Sequence, residues 1–599
     1  MPKPSATEIR TATSFCALFQ STALVEGYRP ALETSDGTLR ISWQEYAERV
    51  RDVAAGLHAL GVRHGDTVGI MLSNRPEFNI VDSAALHLGA VPFSIYNTSS
   101  AEQIRYVFGN AENRVVVTEE AFLAEVQLAS TATKIEHVVC VSGGHAGTTS
   151  LDELVRTGDP AFDFDAAWQQ VRPSDVATLI YTSGTTGPPK GVELTHAGLL
   201  SNLAALLELA DPGPDDRVVS YLPDAHIVNR FMAHYGPMIW GYSVTTVADP
   251  KQMVATLPAV RPTLFVAVPM LWYKIKAALE HAISEETGLR GAVAMAAVRR
   301  GSARARLSTA GRPVPMMLDL QAVVADRLVL RKLRAKLGLD EVKVALTGAA
   351  PIAPEALEFV VGIGLPVCEA WGMSELSALA TVNRPDSIRV GTVGLAAPGV
   401  EIQVAEDGEL LVRGPGVMKG YRGQPELTSE AIDADGWMHT GDIGSVDPDG
   451  YVRILDRKKE LIINSGGKNM SPSNIENTIK VSCPLIGSVV AIGDNQPFVV
   501  ALVTLDPDAA AQFAAQHGLE PDPRVLANHP EVRRQVEEGV ARGNQRLSRV
   551  EQVKYTEILP VFWEPGGDEL TPTMKLRRKP IAEKYASQIR ALYTNARKV

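Results

Sequence analysis

The chain has 599 residues, of which 45% are hydrophobic and 21% are charged, as in ordinary globular proteins, and this length predicts two or more domains. Its formal net charge of −11 argues against a nucleic-acid binder, because such proteins are usually basic. The sequence contains no run of about 18 uncharged apolar residues, so it predicts no membrane-spanning helix.

The cysteines indicate a reducing compartment. Cys16, Cys140, Cys368 and Cys483 lie far apart and have no metal-ligand spacing, so we expect buried free thiols. The N-terminal stretch up to Phe19 is interrupted by charged residues and has no apolar core of the signal-peptide type. We therefore expect a cytoplasmic protein.

Helix and strand patterns alternate through the first 120 residues. Apolar residues recur at helical spacing from Ile41 to Leu60 and stop at Gly61, whereas the run from Thr67 to Leu72 has the pattern of a short buried strand. The same alternation continues with a helix at 79–88, a strand at 90–95, a helix at 100–108 and a strand at 114–118. It predicts an α/β fold with mainly parallel sheets covered by helices.

A buried strand from Thr178 then opens into a loop of small residues. Its hydroxyls, glycines and single cation suit phosphate oxygens, and they are Thr182, Ser183, Gly184, Thr185, Thr186, Gly187 and Lys190. A Walker A loop needs a glycine where Pro189 stands, so the kinase and GTPase pattern is excluded. A plain turn remains the alternative, because Ser, Thr and Gly are common in turns.

The eleven residues from Tyr181 to Gly191, YTSGTTGPPKG, resemble the phosphate-loop signature of the adenylate-forming enzymes. That superfamily includes acyl-CoA synthetases, luciferases and peptide-synthetase adenylation domains. The resemblance extends over nearly the whole chain, and the segment from Val260 to Trp272 is similar to the long-chain fatty acyl-CoA synthetase branch. It implies ATP, Mg²⁺ and coenzyme A as cofactors and a long-chain fatty acid as substrate.

Beyond the loop, residues from Leu194 to Leu209 predict a helix, and the run from Ser220 predicts a strand that ends at His226. In the family that the chain resembles, a histidine at this kind of position borders the acyl pocket. A purely structural histidine is the alternative.

Residues 281–340 are the part least similar to family members with short substrates. The stretch 299–336 contains only Asp319 and Asp326 as anions, against ten cations: Arg299, Arg300, Arg304, Arg306, Arg312, Arg327, Arg331, Lys332, Arg334 and Lys336. A basic helical segment of this kind is expected to be either a solvated helix face or a peripheral contact with an anionic membrane.

Two further strands end in turns of small residues. The strand from Val342 runs into Gly348 and Ala349, which resemble the adenine-side loop of the family. The strand from Val367 runs into a motif of aromatic residue, glycine, any residue, serine and glutamate. The resemblance implies roles for that motif, with adenine stacking by Trp371, α-phosphate contact by Ser374 and Mg²⁺ binding by Glu375.

The alternating strands near 408–412 and 450–454 predict a small β-rich subdomain. Asp442 lies between these strands. The resemblance implies that this carboxylate accepts hydrogen bonds from the ribose hydroxyls.

The charged run from Asp456 to Lys459 separates two apolar strands and predicts a solvated domain boundary. We expect an N-terminal adenylation domain at 1–455, a hinge at 456–459, and a small mobile C-terminal α+β domain at 460–599. The resemblance implies that Arg457 reaches the ribose and that Gly466 and Gly467 lie against the pantetheine arm.

The last motif implied by the resemblance contains the catalytic lysine, here Lys575, although Met574 stands where many relatives have glycine. A basic solvated tail is the alternative.

The combined pattern predicts a long-chain fatty acyl-CoA synthetase that forms an acyl-AMP and transfers the acyl group to coenzyme A. Two alternatives stay open: an acyl-AMP ligase that delivers the acyl group to a carrier protein, and a fatty-acid and nucleotide binding protein without turnover.

Overall fold

The computed structural model of the chain describes residues 3–182, 188–286, 288–466, 468–571 and 574–595. Helices and parallel strands alternate through its first half, as the hydrophobic pattern predicts. The α/β prediction is confirmed, because the body contains several mainly parallel sheets next to a β-rich region.

An eight-stranded sheet forms the centre of the body. Its strands, in order across the sheet, are Gly420–Tyr421, Lys190–Thr195, Val176–Thr182, Val91–Ser94, Thr67–Met71, Val115–Thr118, His137–Cys140 and Thr149–Ser150. The first three pair antiparallel and the remaining pairs are parallel. The parallel strands Thr67–Met71 and Val115–Thr118 are buried along their whole length, as expected for a sheet with helices on both faces.

Two smaller sheets extend the body. One has the strand order Arg217–Ser220, Ser243–Thr246, Pro30–Thr34 and Arg40–Ser42, and the other has the order Leu264–Ala267, Val344–Thr347, Val367–Trp371, Thr381–Val382 and Leu395–Ala396. The first three strands of each are parallel, so their carboxyl ends meet at one edge.

The predicted β-rich subdomain is an antiparallel sheet of four strands. They are Glu401–Val404, Glu409–Arg413, Met438–Val446 and Val452–Arg457. The last of these strands leads into the C-terminal part of the chain, which contains the short hairpin Ile462–Ile463 with Asn469–Met470 and a sheet of Ile486–Ile492, Val499–Leu505 and Val553–Ile558.

The helices of the body lie between these strands. They are Ala6–Thr11, Phe15–Glu26, Trp43–Ala59, Pro76–His87, Ala101–Ala111, Leu123–Ser130, Leu151–Arg156, Phe164–Gln169, His196–Ala204, Leu206–Ala210, Ile227–Arg230, Gly236–Trp240, Met253–Val260, Pro269–Glu285, Leu289–Thr309, Met316–Ala325, Arg331–Lys336, Pro354–Gly362 and Pro425–Ala431. The C-terminal helices are Pro472–Lys480, Pro507–His517, Pro523–Leu526, Pro530–Asn544, Arg578–Lys584 and Ala586–Asn595. No described helix is both long enough and apolar enough to cross a bilayer.

The hydrophobic cores follow the same division of the chain. The buried clusters of the body contain residues between Ile9 and Val452, whereas those of the C-terminal part contain residues between Ile462 and Leu592. The exact hinge at 456–459 stays a prediction. We call the part after residue 459 the lid.

Candidate active site

The predicted phosphate loop leaves the edge of the central sheet. The strand Val176–Thr182 ends there, and the chain returns antiparallel in Lys190–Thr195, with Thr182 paired to Lys190. These two residues therefore fix both ends of the loop. The other predicted loop residues lie outside the described part of the chain: Ser183, Gly184, Thr185, Thr186 and Gly187.

A tyrosine connects this loop to the predicted metal ligand. The Lys190 ammonium lies 4.6 Å from the centre of the Tyr421 ring, and the Tyr421 hydroxyl donates a hydrogen bond of 3.0 Å to Oε1 of Glu375. Burial and the Glu375 carboxylate raise the pKa of Tyr421, so it stays a donor. The sequence interpretation missed Tyr421, because it is far from every motif and no local signal marks it.

Glu375 and Ser374 occupy a single 3₁₀ turn, Ser374–Leu376, just after the strand Val367–Trp371. Glu375 is buried, and its Oε2 accepts no hydrogen bond from any described residue. Mg²⁺ is usually held by one or two carboxylates together with substrate phosphates. A carboxylate oxygen that accepts no described hydrogen bond, on a residue connected through Tyr421 to Lys190, fits that pattern, and the described residues contain no cluster of three or more ligands that could form a protein-only metal cage.

The adenine-side loop follows the strand Val344–Thr347. A Cβ on Gly348 would lie 2.8 Å from the carbonyl oxygen of Ala370, so glycine allows this loop to approach the neighbouring strand closely. Ala349 adopts a left-handed φ of 66° directly after it. The two residues thus form a tight turn beside the strand that ends in Trp371.

Asp442 is held from two sides. The indole N–H of Trp371 donates to Oδ2 at 2.7 Å, and Nε of Arg457 lies 2.7 Å from Oδ1. Burial raises the pKa of Asp442, while Arg457 and the Trp371 hydrogen bond oppose that rise. Each carboxylate oxygen has a second lone pair, so Asp442 can still accept hydrogen bonds from a ligand.

His226 corrects one expectation. The strand predicted to end at His226 stops at Ser220, because Pro223 cannot donate a hydrogen bond to a sheet. His226 instead caps the helix Ile227–Arg230, where its Nδ1 accepts a hydrogen bond of 3.2 Å from the Val228 N–H. Burial and then the Lys575 charge lower the pKa of His226 to about 4, so the ring is neutral at pH 7 with its proton on Nε2.

Lys575 enters this site from the lid. It sits in a turn closed by hydrogen bonds with Thr571, and its charge acts on His226 and Asp442. Burial and the Arg457 charge lower the pKa of Lys575, whereas Asp442, Glu460 and Glu375 oppose that change. The side chain lies in the cleft between body and lid, where protein surrounds it but solvent still reaches it. It forms no ion pair with any described residue.

The predicted hinge residues differ in their surroundings. Arg457 and Lys458 are exposed, as expected for a solvated boundary. Asp456 differs from that expectation and is buried, because its carboxylate accepts hydrogen bonds from the Ser471 hydroxyl at 2.6 Å and the Ser473 N–H at 3.0 Å. It therefore joins the end of the body to the first turn of the helix Pro472–Lys480. Lys459 is exposed.

Of the two predicted pantetheine residues, the structure describes Gly466, and their role in a second lid conformation stays a prediction. Gly466 is exposed in a lid turn, where its N–H donates a hydrogen bond of 3.0 Å to Oδ1 of Asn464. Gly467 lies outside the described residues.

Ion pairs hold the lid on the body in this conformation. Lys274 pairs with Asp508 at 2.6 Å, and Arg546 pairs with Glu355. Each pair joins a body residue to a lid residue. In this conformation the charge of Lys575, a lid residue, acts on Asp442 and His226 of the body.

Two family models match the chain. One is described as "AMP-binding enzyme" and matches residues 19–422, and the other is described as "AMP-binding enzyme C-terminal domain" and matches residues 459–597. Among curated proteins, fadD11 of Mycobacterium tuberculosis is 52% identical over 75% of this chain and 79% of its own length. The long-chain-fatty-acid–CoA ligase FadD15 of Mycobacterium bovis is 36% identical over 92% of both chains.

Solved structures share the fold. The anthranilate CoA ligase AuaEII in complex with anthranoyl-AMP matches with a TM-score of 0.73 and 17% identity, over 97% of this chain and 99% of that chain. The adenylation domain of a carboxylate reductase from Mycobacterium chelonae matches with a TM-score of 0.75 and 20% identity, over 98% of this chain and 93% of that chain. Together with the two family models and the relatives that match nearly the whole chain, this likeness leads to one conclusion: the chain belongs to the AMP-binding enzymes of the adenylate-forming superfamily.

Proposed function

We propose that this protein is an ATP-dependent long-chain fatty acid–CoA ligase. The observation that carries the proposal is the position of Lys575, an ammonium that pairs with no described carboxylate and whose charge couples to Glu375, Asp442 and the neutral His226. A nucleotide held by the body would meet that charge from the lid. The printed name of FadD15 specifies long-chain fatty acids.

In the first step, a carboxylate oxygen of the fatty acid attacks the α-phosphorus of ATP and the bond to pyrophosphate breaks. Positioning and charge stabilisation supply most of the catalysis in such a displacement, and no nucleophilic side chain is needed. Lys575 neutralises the charge that develops between carboxylate and α-phosphate, with Ser374 close to the same phosphate. Thr182, Lys190 and the loop residues between them hold the outer phosphates.

The base and ribose have their own contacts in this proposal. Trp371 offers its ring face to adenine while its N–H stays on Asp442, and Gly348 and Ala349 let the flat base approach the backbone. Asp442, fixed by Arg457, accepts the ribose hydroxyls. Mg²⁺ on Glu375 supplies charge stabilisation at the phosphate oxygens when bound.

In the second step, the thiol of coenzyme A releases its proton to solvent and its sulfur attacks the acyl carbonyl carbon, the bond from that carbon to the phosphate oxygen breaks, and AMP leaves. The first step must exclude water and the second must admit coenzyme A, so the lid has to move between them. We propose rotation about Asp456 to Lys459, with the adenylation domain at 1–455 and the lid at 460–599. Gly466 and Gly467 then lie against the pantetheine arm.

Two other functions compete with this proposal. An acyl-AMP ligase would perform the first step and then transfer the acyl group to a carrier protein. A binding protein without turnover would hold fatty acid and nucleotide only, but the joint presence of Lys575, Glu375 and Asp442 in one cleft favours an enzyme.

We also propose that the enzyme works in the cytoplasm and contacts membranes through residues 299–336. The buried, free state of Cys16, Cys140, Cys368 and Cys483 suits a reducing compartment. Long acyl chains partition into bilayers, so a peripheral contact would bring the enzyme to its substrate.

Product analysis separates the three functions. With palmitate, ATP and Mg²⁺, pyrophosphate release distinguishes an enzyme from a binder. Added coenzyme A should then yield palmitoyl-CoA detected by mass spectrometry. Pyrophosphate and acyl-AMP without thioester would favour the carrier-protein ligase, and no pyrophosphate with any chain length would refute the enzyme. Lys575→Ala serves as the matched inactive control.

A further inference from the structure

The helix that begins at Met316 has apolar side chains on its solvent face. We call six of them the apolar stripe, and their side chains are 49% to 87% exposed: Met316, Met317, Leu320, Val323, Val324 and Leu328. Exposed apolar residues are normal when scattered, but a continuous group of this kind marks an interaction surface.

The stripe follows helical geometry. Its residues recur at intervals of three and four, which places them on one side of the helix Met316–Ala325 and its continuation Asp326–Leu330. The opposite side carries Ala322, Ala325 and Leu330, which are buried against the body. The body core therefore uses one side of this helix and leaves a second apolar side in water.

Cations surround the stripe. Arg327, Arg331 and Lys332 are exposed, and none forms an ion pair with a described residue. On the adjacent helix Leu289–Thr309, Arg304 lies 2.6 Å from Asp319, and Arg300 donates a hydrogen bond of 3.2 Å to Gln321. Those contacts place the arginines of the adjacent helix beside the helix that carries the stripe.

The adjacent helix extends the same surface. Leu289 and Val293 are exposed, and they share a helical side with Arg300 and Arg304 at intervals of four, seven and four residues. Apolar and cationic side chains are thus combined across two neighbouring helices. This arrangement occurs on a protein whose overall charge is −11.

We infer that the apolar stripe and the cations around it form a docking surface for an anionic lipid bilayer. The apolar side chains enter the boundary between headgroups and acyl chains, while Arg327, Arg331 and Lys332 contact lipid phosphates. The charge favours lipid over a second copy of this chain, because two copies would bring like charges together. The inference deepens the proposed membrane contact of residues 299–336, and it rests on the proposed ligase activity only for the benefit of docking, which is access to a substrate dissolved in the bilayer.

Vesicle flotation tests this surface. The probes are phosphatidylcholine vesicles with and without phosphatidylglycerol, and the full chain should float only with the anionic vesicles. The triple variant Met316→Ser, Leu320→Ser, Leu328→Ser should bind at least about tenfold more weakly, because it removes apolar area from the stripe. In the triple variant Arg327→Gln, Arg331→Gln, Lys332→Gln, the affinity for anionic vesicles should fall about fivefold per charge, or roughly a hundredfold in total.

Matched variants elsewhere on the surface control for composition. Leu128→Ser, Val254→Ser, Val525→Ser removes three exposed apolar side chains outside the stripe, and Arg10→Gln, Arg549→Gln, Lys579→Gln removes three exposed cations. Both controls should float like the unmodified protein. Equal binding by the stripe variants and their controls, or no flotation of the unmodified protein, would overturn the inference. So would a sedimentation experiment in which the stripe variants turn a dimer into a monomer without any change in flotation.

A separate readout distinguishes this inference from the proposed function. Pyrophosphate exchange with octanoate, which is soluble without a membrane, should be unchanged in all four variants, and it also reports correct folding. A protein that is active on octanoate but does not float disproves only the docking surface. A protein that floats as expected but releases no pyrophosphate supports the docking surface and disproves only the ligase.

Discussion

The indole N–H of Trp371 donates a hydrogen bond of 2.7 Å to Asp442, a residue 71 positions further along the chain. The bond fixes the ring of the proposed adenine platform and one oxygen of the proposed ribose acceptor at the same time. Arg457 holds the other oxygen at 2.7 Å. One carboxylate therefore orients contacts to both base and sugar.

Replacing Trp371 by phenylalanine keeps an aromatic face but removes this donor. A hydrogen bond to a charged group contributes about 1.5 to 3 kcal/mol, so Trp371→Phe should weaken ATP binding about tenfold or more. Pyrophosphate exchange at varied ATP concentration measures the effect. Trp437→Phe is the control, because that ring packs on Arg413 at 4.6 Å, whereas the partners of the Asp442 carboxylate are Trp371 and Arg457. Unchanged ATP affinity in Trp371→Phe would show that the bond has no positioning role.

Tyr421 should set the affinity for Mg²⁺ through Glu375. Tyr421→Phe keeps the ring beneath Lys190 but removes the hydrogen bond of 3.0 Å to Oε1 of Glu375. Loss of a partner that orients a metal ligand typically costs about 10- to 100-fold in metal affinity. We expect the Mg²⁺ concentration for half-maximal activity to rise about tenfold. Tyr451→Phe, which removes a hydroxyl bonded to the Ser387 carbonyl, should leave it unchanged. The same Mg²⁺ response in both variants would argue against Glu375 as the ligand.

The ion pair between Lys274 and Asp508 should favour the closed lid. Both side chains are largely exposed, and such pairs contribute at most about 1 kcal/mol. Lys274→Asp replaces attraction by repulsion, so adenylation should slow about two- to fivefold at low salt, and less at high salt. The second change Asp508→Lys should restore the rate. Thioester formation from supplied acyl-AMP should not respond to either change, and failure of the rescue would exclude a direct pairing effect.

Glu369 should make stability depend on pH. Its Oε2 is buried without a hydrogen-bond partner among the described residues, and burial raises the pKa of Glu369 to about 8. The folded state therefore retains a proton that the unfolded state, with a pKa near 4.5, releases. Stability from this group is complete below about pH 4.5 and is lost as pH rises through 8.

Urea unfolding at several pH values tests this effect. Glu369→Gln should reduce the fall of the free energy of unfolding with rising pH. At pH 9 the free energy of unfolding of the variant should exceed that of the unmodified protein by roughly 3 kcal/mol. The difference between the two curves isolates Glu369 from other titrating groups. Glu406→Gln, at an exposed position, should follow the unmodified protein. Parallel curves for Glu369→Gln and the unmodified protein would show that Glu369 is not protonated in the fold.

The sequence predicts the body of this fold well because its signals are local. The helix over Ile41 to Leu60 and the strand from Thr67 appear as Trp43–Ala59 and Thr67–Met71, since apolar periodicity reports which side is buried. Strands followed by small residues likewise indicate where parallel strands end, which is where Thr182, Gly348 and Trp371 are found.

Contacts between distant segments could not be predicted in this way. The bond from Trp371 to Asp442 and the bond from Tyr421 to Glu375 depend on sheets that meet only in three dimensions. The apolar stripe did have a local signal, the spacing of Met316, Leu320 and Leu328, but cations dominate that segment and the sequence cannot tell which of two apolar sides faces the core. The buried state of Asp456 was missed because its partners Ser471 and Ser473 lie at the start of the helix Pro472–Lys480, beyond the hairpin that follows the strand of Asp456.

The central claim is that the lid delivers one ammonium group to the first half-reaction. Its most direct test compares Lys575→Ala with Lys579→Ala, an exposed lysine four residues further on, in two assays: pyrophosphate exchange with palmitate, and thioester formation from supplied palmitoyl-AMP. We predict that Lys575→Ala lowers exchange by about 10²- to 10³-fold, the scale of one preorganised charge contact, and largely preserves thioester formation. Lys579→Ala should change neither. Equal loss in both half-reactions for Lys575→Ala, or full exchange activity, would contradict the account.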